Sequence, residues 1–311
     1  MSRKYVFGPI PSRRLGMSLG VDLIPFKTCS YDCIYCELGK TKNKTSARKE
    51  YISGSLILKQ LEEYLSVLDS PPDYITISGS GEPTLNSQLG EIIKHIKAIT
   101  KIPLAVLTNS SLLFMDEVKK DLLEADIVLP SLDAVSPNIF KYINRPDPRL
   151  TIDEIIRGLI NFRKVFSGQI WLEVLFCRAV NDDCREIERM CETIEEIKPD
   201  KIQLNTVVRP AFEDYVTPLN GIQLNSIKKK LGIKAEIIAT TIPSQGGTRF
   251  IDNEENILNL IARRPCTMED ICIALELHPN ETFKYLCKLE KERRIGHTLF
   301  NRHMYYQTVN Q

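Results

Sequence analysis

Residues 27–40 read KTCSYDCIYCELGK and set Cys29, Cys33 and Cys36 on one short loop in the order C-x3-C-x2-C. Three soft thiolates suit iron or zinc far better than oxygen-preferring ions. A structural zinc site takes a fourth cysteine or histidine, yet His95, His278, His297 and His303 all lie far away in sequence. A C-x2-C pair also marks redox loops, which would leave Cys29 without a role. The spacing favours an iron–sulfur cluster over either. Three protein ligands on a four-iron cluster leave one iron open to a small molecule, and open coordination lets a metal site do chemistry.

Outward from this loop, short apolar runs alternate with longer amphipathic stretches. Strands are predicted at Ser18–Ile24, Tyr74–Ser78, Leu104–Leu107, Ile127–Leu132, Ile170–Phe176, Lys201–Asn205 and Ala235–Ala239. Helices are predicted at Leu89–Ile99, Val118–Leu123, Ile152–Phe166, Ile187–Ile197 and Leu224–Leu231. Such alternation implies an α/β fold with parallel pairing and right-handed crossovers. Periodicity alone permits either an incomplete barrel or an open doubly wound sheet. Both collect ligands at the carboxyl ends of their strands. The polar motifs fall there: Cys29 after the first strand, Gly79–Pro83 after the second, Thr108 and Asn109 ending the third, Ser131 and Asp133 ending the fourth.

A boundary is expected near Gly246-Gly247, dividing a domain of residues 1–245 from one of residues 250–311. In the second, helices at Glu254–Arg263, Met268–Leu275 and Asn280–Arg294 precede a hairpin of Ile295–Phe300 and His303–Gln307. That order resembles a winged helix. Lys284, Lys288, Lys291, Arg293, Arg294 and Arg302 cluster late, with Glu290 and Glu292 among them. Nucleic-acid binding and protein docking are both open for such a module.

With 43% hydrophobic and 26% charged residues, the composition is that of a soluble globular protein. A net charge of +1 supplies no global field for nucleic acid or membrane, so such a partner would need a local patch. The first sixteen residues lack the apolar core of a signal peptide, and no run is long enough to span a membrane. Nine cysteines without an export signal point to reduced thiols and a cytoplasmic location. Cys177, Cys184 and Cys191 repeat at C-x6-C-x6-C, and core packing is favoured over a second cluster.

The chain resembles the radical S-adenosylmethionine (SAM) superfamily. The cysteine motif with Tyr35 before its last cysteine carries the likeness, together with SGSGEPT, in which Ser80 stands where a second glycine is usual. LTNSS around Thr108 and Asn109 and LPSLDAV with Ser131 and Asp133 extend it, roughly from Gly16 to Thr240. GPIPSRRLG and the run into the cysteines look most like the branch that contains the wyosine-forming tRNA enzymes. The resemblance implies a partial (β/α)6 TIM-like barrel followed by the winged-helix-like domain. It implies a [4Fe–4S] cluster on Cys29, Cys33 and Cys36, with SAM on the open iron. Reductive cleavage to methionine and a 5′-deoxyadenosyl radical, then hydrogen abstraction, would follow. Tyr35, Gly79, Ser80, Gly81, Glu82, Thr108, Asn109, Ser131 and Asp133 become the cofactor-binding candidates. Glycines at the second strand end would let backbone approach the methionine ammonium, with Glu82 as a further acceptor. Ser131 and Asp133, two apart on an extended strand, would take a ribose hydroxyl or the carboxylate; capping a helix before Pro137 is the rival for Asp133.

No catalytic residue beyond the cofactor set is identified. Asn205, Arg209, Glu173, Trp171 and Lys27 are weighed as substrate-facing, whereas surface solvation accounts for Arg13 and Arg14. The resemblance implies an external one-electron donor of flavodoxin or ferredoxin type and RNA as a partner, and the lack of a long apolar run implies no membrane. Modification of RNA or a nucleotide leads. Radical modification of a protein or small molecule, with the second domain as docking module, and a redox-sensing regulator are the alternatives.

Overall fold

The computed structural model describes residues 5–68, 70–239, 253–275 and 277–309. The boundary expected at Gly246-Gly247 lies outside them. Strand β1 (Val6–Ser12) turns back antiparallel on β2 (Gly16–Val21). From β2 the sheet is parallel through β5 (Tyr74–Ile77), β6 (Leu104–Thr108), β7 (Ile127–Pro130), β8 (Gln169–Phe176), β9 (Lys201–Thr206) and β10 (Ala235–Ile237). Its order, β1-β2-β5-β6-β7-β8-β9-β10, leaves β1 and β10 as unjoined edges among the described residues. The fold is the partial barrel, not a closed one. Between β2 and β5, the cysteine loop carries a two-residue parallel pair, β3 (Thr28–Cys29) with β4 (Asn43–Lys44).

Helices cover the outer face in sequence order: α1 (Gly54–Leu65), α2 (Leu89–Ile99), α3 (Asp116–Leu122), α4 (Pro137–Ile143), α5 (Ile152–Val165), α6 (Cys184–Ile197) and α7 (Gly221–Leu231). Their apolar residues recur at helical spacing; in α2, Leu89, Ile92, Ile93 and Ile96 are all buried against the sheet. Asp183 caps α6, and Asn220 with Gln223 forms a capping box on α7. Because strand side chains alternate, Val106 and Val128 enter the core beneath the helices while Ala105, Leu129 and Ile127 gather inside the barrel with Leu15 and Trp171. The inner cluster floors the barrel; the carboxyl ends of the strands rise above it.

The carboxy-terminal residues form α8 (Asn253–Ile261), α9 (Met268–Leu275), α10 (Pro279–Lys291) and a hairpin of β11 (Ile295–Phe300) with β12 (His303–Thr308). Ile257, Ile271, Leu286, Leu289 and Ile295 make their own small core, which Ile10 of β1 joins. Tyr305 donates to the Val208 carbonyl at 2.9 Å, and Arg209 faces Asp270 at 3.8 Å. The module is thus seated on the barrel.

Phe162 is fully buried and stacks on Phe166 at 4.7 Å, closing the end of α5. Phe162→Ala is expected to cost about 3–5 kcal/mol of unfolding free energy, read from the midpoint of chemical denaturation.

Candidate cofactor site

The cysteine loop is held by its backbone before any side chain is considered. Lys27 N–H donates to the Ser80 carbonyl at 2.7 Å, and Glu82 N–H donates to the Thr28 carbonyl at 3.2 Å. The two segments press so close that a Cβ on Gly81 would lie 1.9 Å from the Thr28 oxygen. Gly79, at φ +150°, would place a Cβ 2.5 Å from the Asp22 carboxyl carbon. Both glycines therefore make room for the chain itself. On its far side, the loop takes Asp32 and Ile34 N–H bonds to the carbonyls of Asn144 and Ile143.

Each cysteine sulfur meets one nitrogen donor. Asn109 Nδ2 lies 3.5 Å from Cys29 Sγ, Asn144 Nδ2 lies 3.5 Å from Cys33 Sγ, and Lys27 Nζ lies 3.0 Å from Cys36 Sγ. Such donors stabilise thiolate charge and tune a cluster's potential. Burial pushes the Cys29 thiol up to about 12 and raises Cys33 well above its ordinary value, with neighbouring acidic groups adding to both. The bare Cys29 and Cys33 thiols hold their protons at neutral pH; a coordinating metal ion displaces them. Among the described residues no three His, Cys, Asp or Glu side chains converge on one ion. A four-iron cluster asks for no such convergence, because each of its thiolates bonds a different iron. The donor set fits [4Fe–4S]: three thiols on one loop, each with an N–H partner, with Cys29 bordering a cavity.

The cavity occupies about 380 Å³ at the carboxyl ends of the strands. Cys29, Gly79, Gly81, Glu82, Thr108, Asn109 and Ser131 all line it, so seven of the twelve candidate residues converge across a hundred positions of sequence. Glu82 is buried and already engaged, accepting from Thr84 N–H at 3.0 Å, Thr84 Oγ1 at 2.6 Å, Thr108 Oγ1 at 2.7 Å and Asn109 N–H at 2.6 Å. Burial raises its carboxyl despite these donors. It braces the end of β5 to the end of β6.

Tyr35, Ser80 and Asp133 stand behind the wall. Ser80 Oγ donates to Asp22 at 2.5 Å. Tyr35 donates its hydroxyl to Asp133, which also accepts from Asn144 Nδ2 at 2.8 Å and Leu175 N–H at 3.0 Å. Burial pushes the Asp133 carboxyl up to about 6. Asp133 does not cap α4: Glu186 accepts from Val135 and Ser136 N–H at 2.6 and 3.0 Å in that place. Asp133 instead fixes Asn144, and through it the donor on Cys33.

The arginines correct the surface assignment of Arg13 and Arg14. Both line the cavity, as do Arg263 and Arg264 from the end of α8. Arg14 pairs with Glu173, and Asn205 Nδ2 donates to the same carboxylate at 2.8 Å. Arg263 stacks 3.7 Å over the Phe7 ring and reaches Asp22 at 3.1 Å. Arg209 is buried outside the cavity against Glu37 at 3.5 Å, and Trp171 sits in the inner floor. Sequence reasoning missed Asn144, Arg263 and Arg264; the Arg-Arg pair before Pro265 was the available signal for two of them. The three later cysteines diverge, with Cys177 buried, Cys184 exposed and Cys191 between.

The sequence pattern of the Radical SAM superfamily matches residues 23–192. A UPF0026 protein of Methanocaldococcus jannaschii is 36% identical over 297 residues, covering 93% of this chain and 91% of that protein. A Brachyspira hyodysenteriae protein named GTPase Obg is 39% identical over 305 residues, 97% of this chain; the chain spans only 45% of that relative's length. Among solved structures, a radical SAM methyltransferase from Sphaerobacter thermophilus superposes with a TM-score of 0.56 over 74% of this chain and 67% of that one, at 16% identity. That likeness is one of fold.

Gly81→Ala should force the Thr28 carbonyl away and spoil the cluster loop while leaving the barrel folded. Iron and sulfide per reconstituted chain are expected to fall severalfold, with far-ultraviolet circular dichroism unchanged.

Proposed function

The chain belongs to the radical SAM superfamily, and from that premise we propose that it abstracts hydrogen from an inert carbon of a nucleotide, free or within RNA. As a member it is an enzyme that uses a [4Fe–4S] cluster and SAM and draws its electron from an external donor; a flavodoxin or ferredoxin is the proposed type. When bound, the pair supplies reductive cleavage of the sulfonium and, from it, removal of hydrogen from an unactivated C–H bond.

The protein's part is positioning and exclusion. Cys29, Cys33 and Cys36 would hold the cluster, with Asn109, Asn144 and Lys27 steadying the sulfurs. Asn109 and Ser131 edge the cavity beside Cys29, and the glycine strand end offers backbone there, so SAM would lie along this wall. Leu260, Arg263 and Arg264 bring the carboxy-terminal module to the cavity wall, away from the cysteine loop in sequence.

The observation that carries a nucleotide substrate is that the cavity bordered by Cys29 is also lined by four arginines, the residue suited to phosphate. The likeness to the wyosine branch supports the same class. A redox sensor would need no such cavity beside its cluster. Docking of RNA on the module's outer face has less support, since Lys288 and Arg294 both pair with Glu254, at 2.5 and 2.7 Å. Among the described residues no helix is long and apolar enough to cross a membrane.

Anaerobically reconstituted protein given SAM and dithionite should release 5′-deoxyadenosine and methionine, detected by mass spectrometry. Cys33→Ala should abolish the product. Absence of product from wild type with full cluster content would overturn the proposed activity.

A further inference from the structure

Arg13 and Arg264 differ from the other arginines around the cavity. Arg14 has Glu173, Arg263 has Asp22, and Arg209 has Glu37 and Asp270. Among the described residues, neither Arg13 nor Arg264 has an ion-pair partner within reach. Arg13 makes one hydrogen bond, Nη1 to Asn205 Oδ1 at 3.3 Å. Arg264 Nε and Arg14 Nε are buried with no hydrogen-bond partner. Glu37 is a counter-charge they share: Arg209, Arg13 and Arg264 together hold its carboxyl below the ordinary range despite its burial. One carboxylate thus faces three guanidinium groups. Burial lowers Arg13 to about 10, and Arg209 and Arg14 add repulsion to that. A largely desolvated cation without an ion-pair partner is costly, and unmade N–H bonds on side chains that line a cavity are candidates for a ligand's acceptors.

We propose that Arg13 and Arg264, backed by the free Nε of Arg14, form a phosphate subsite that fixes the anionic end of a small phosphorylated substrate in the cavity bordered by Cys29. The inference rests on the function proposed above and narrows its substrate from nucleotide or RNA to a free phosphorylated molecule. Three features favour a phosphate that enters the cavity. The arginines that carry the unpaired donors line it, from the β1–β2 turn and the segment just after α8. The planar fork of arginine matches phosphate oxygens two at a time. The exposed basic residues Lys288 and Arg294 are occupied by Glu254. On this account the carboxy-terminal module completes the active site by bringing Arg264 to it.

The test is calorimetric titration of inorganic pyrophosphate into the full-length, cluster-reconstituted protein with SAM present, for wild type, Arg13→Gln, Arg264→Gln and Arg13→Lys. Wild type should bind, and each glutamine variant should weaken binding by at least about tenfold. Arg13→Lys, which keeps the charge and loses the fork, should fall between. SAM affinity and release of 5′-deoxyadenosine without substrate should persist in all four. Thermal melting confirms that the variants fold, and the wild-type titration stands whether or not they do. No binding of pyrophosphate by wild type overturns the subsite, as do variants that bind it unchanged. A parallel loss of SAM affinity would assign the arginines to the carboxylate of SAM instead. A single-stranded RNA bound more tightly than pyrophosphate, and equally by Arg13→Gln, would place phosphate recognition elsewhere. Failure of wild type to cleave SAM would count against the proposed function, whereas pyrophosphate binding is read without turnover.

Discussion

The contact on which the site depends is backbone against backbone: Lys27 and Thr28 of the cysteine loop pressed onto Ser80, Gly81 and Glu82 at the end of β5. No side chain fits between them. From that contact a closed circuit runs outward. Glu82 takes bonds from Thr108 and Asn109 at the end of β6, and Asn109 returns to Cys29. A second circuit runs from Cys33 through Asn144 to Asp133, which also accepts from Leu175 in β8. Three strand ends are thereby locked to one loop. Positions separated by a hundred residues act as a single rigid frame, as a site must when its cofactor is to be held in one orientation.

Charge explains the rest of the cavity. Cys29 and Cys33, buried beside Glu82 and Asp133, resist ionisation, so loading metal on the loop must release their protons. Elsewhere on the lining, cations outnumber nearby carboxylates, and among the described residues Arg13 and Arg264 stand without an ion-pair partner. On the proposed function the two populations would divide the labour: sulfur and amide groups for a cluster, guanidinium groups for an anion. Arg263, stacked on Phe7 and tied to Asp22, links them, because Asp22 also holds Ser80 behind the cluster wall.

Much of this was legible in sequence. The alternation of apolar runs placed the parallel strands and their order, and α2 falls at Leu89–Ile99 as its isoleucine spacing predicts. The motifs were found because they sit at strand ends, where topology alone makes them converge. What was not legible follows from the same physics. β1 lies on the sheet edge and carries Gly8, Pro9 and Pro11, so it lacks a strand's composition. α1 hides its start behind Gly54, although Ile57 and Leu61 are four apart and buried. Whether a polar residue faces the ligand or props another residue depends on one strand's alternation and twist. Asp133 and Ser80 therefore read as ligands and stand as braces, while Arg13 and Arg14 read as surface and line the cavity.

The central claim is that three thiolates leave one iron free for SAM. Electron paramagnetic resonance of the reduced, reconstituted protein tests it directly, using SAM labelled with nitrogen-15 at its amino group. The account predicts a cluster signal that changes on adding SAM and shows coupling to the labelled nitrogen. A signal indifferent to SAM, or a protein that retains stoichiometric zinc at these cysteines with a fourth protein ligand, would contradict it.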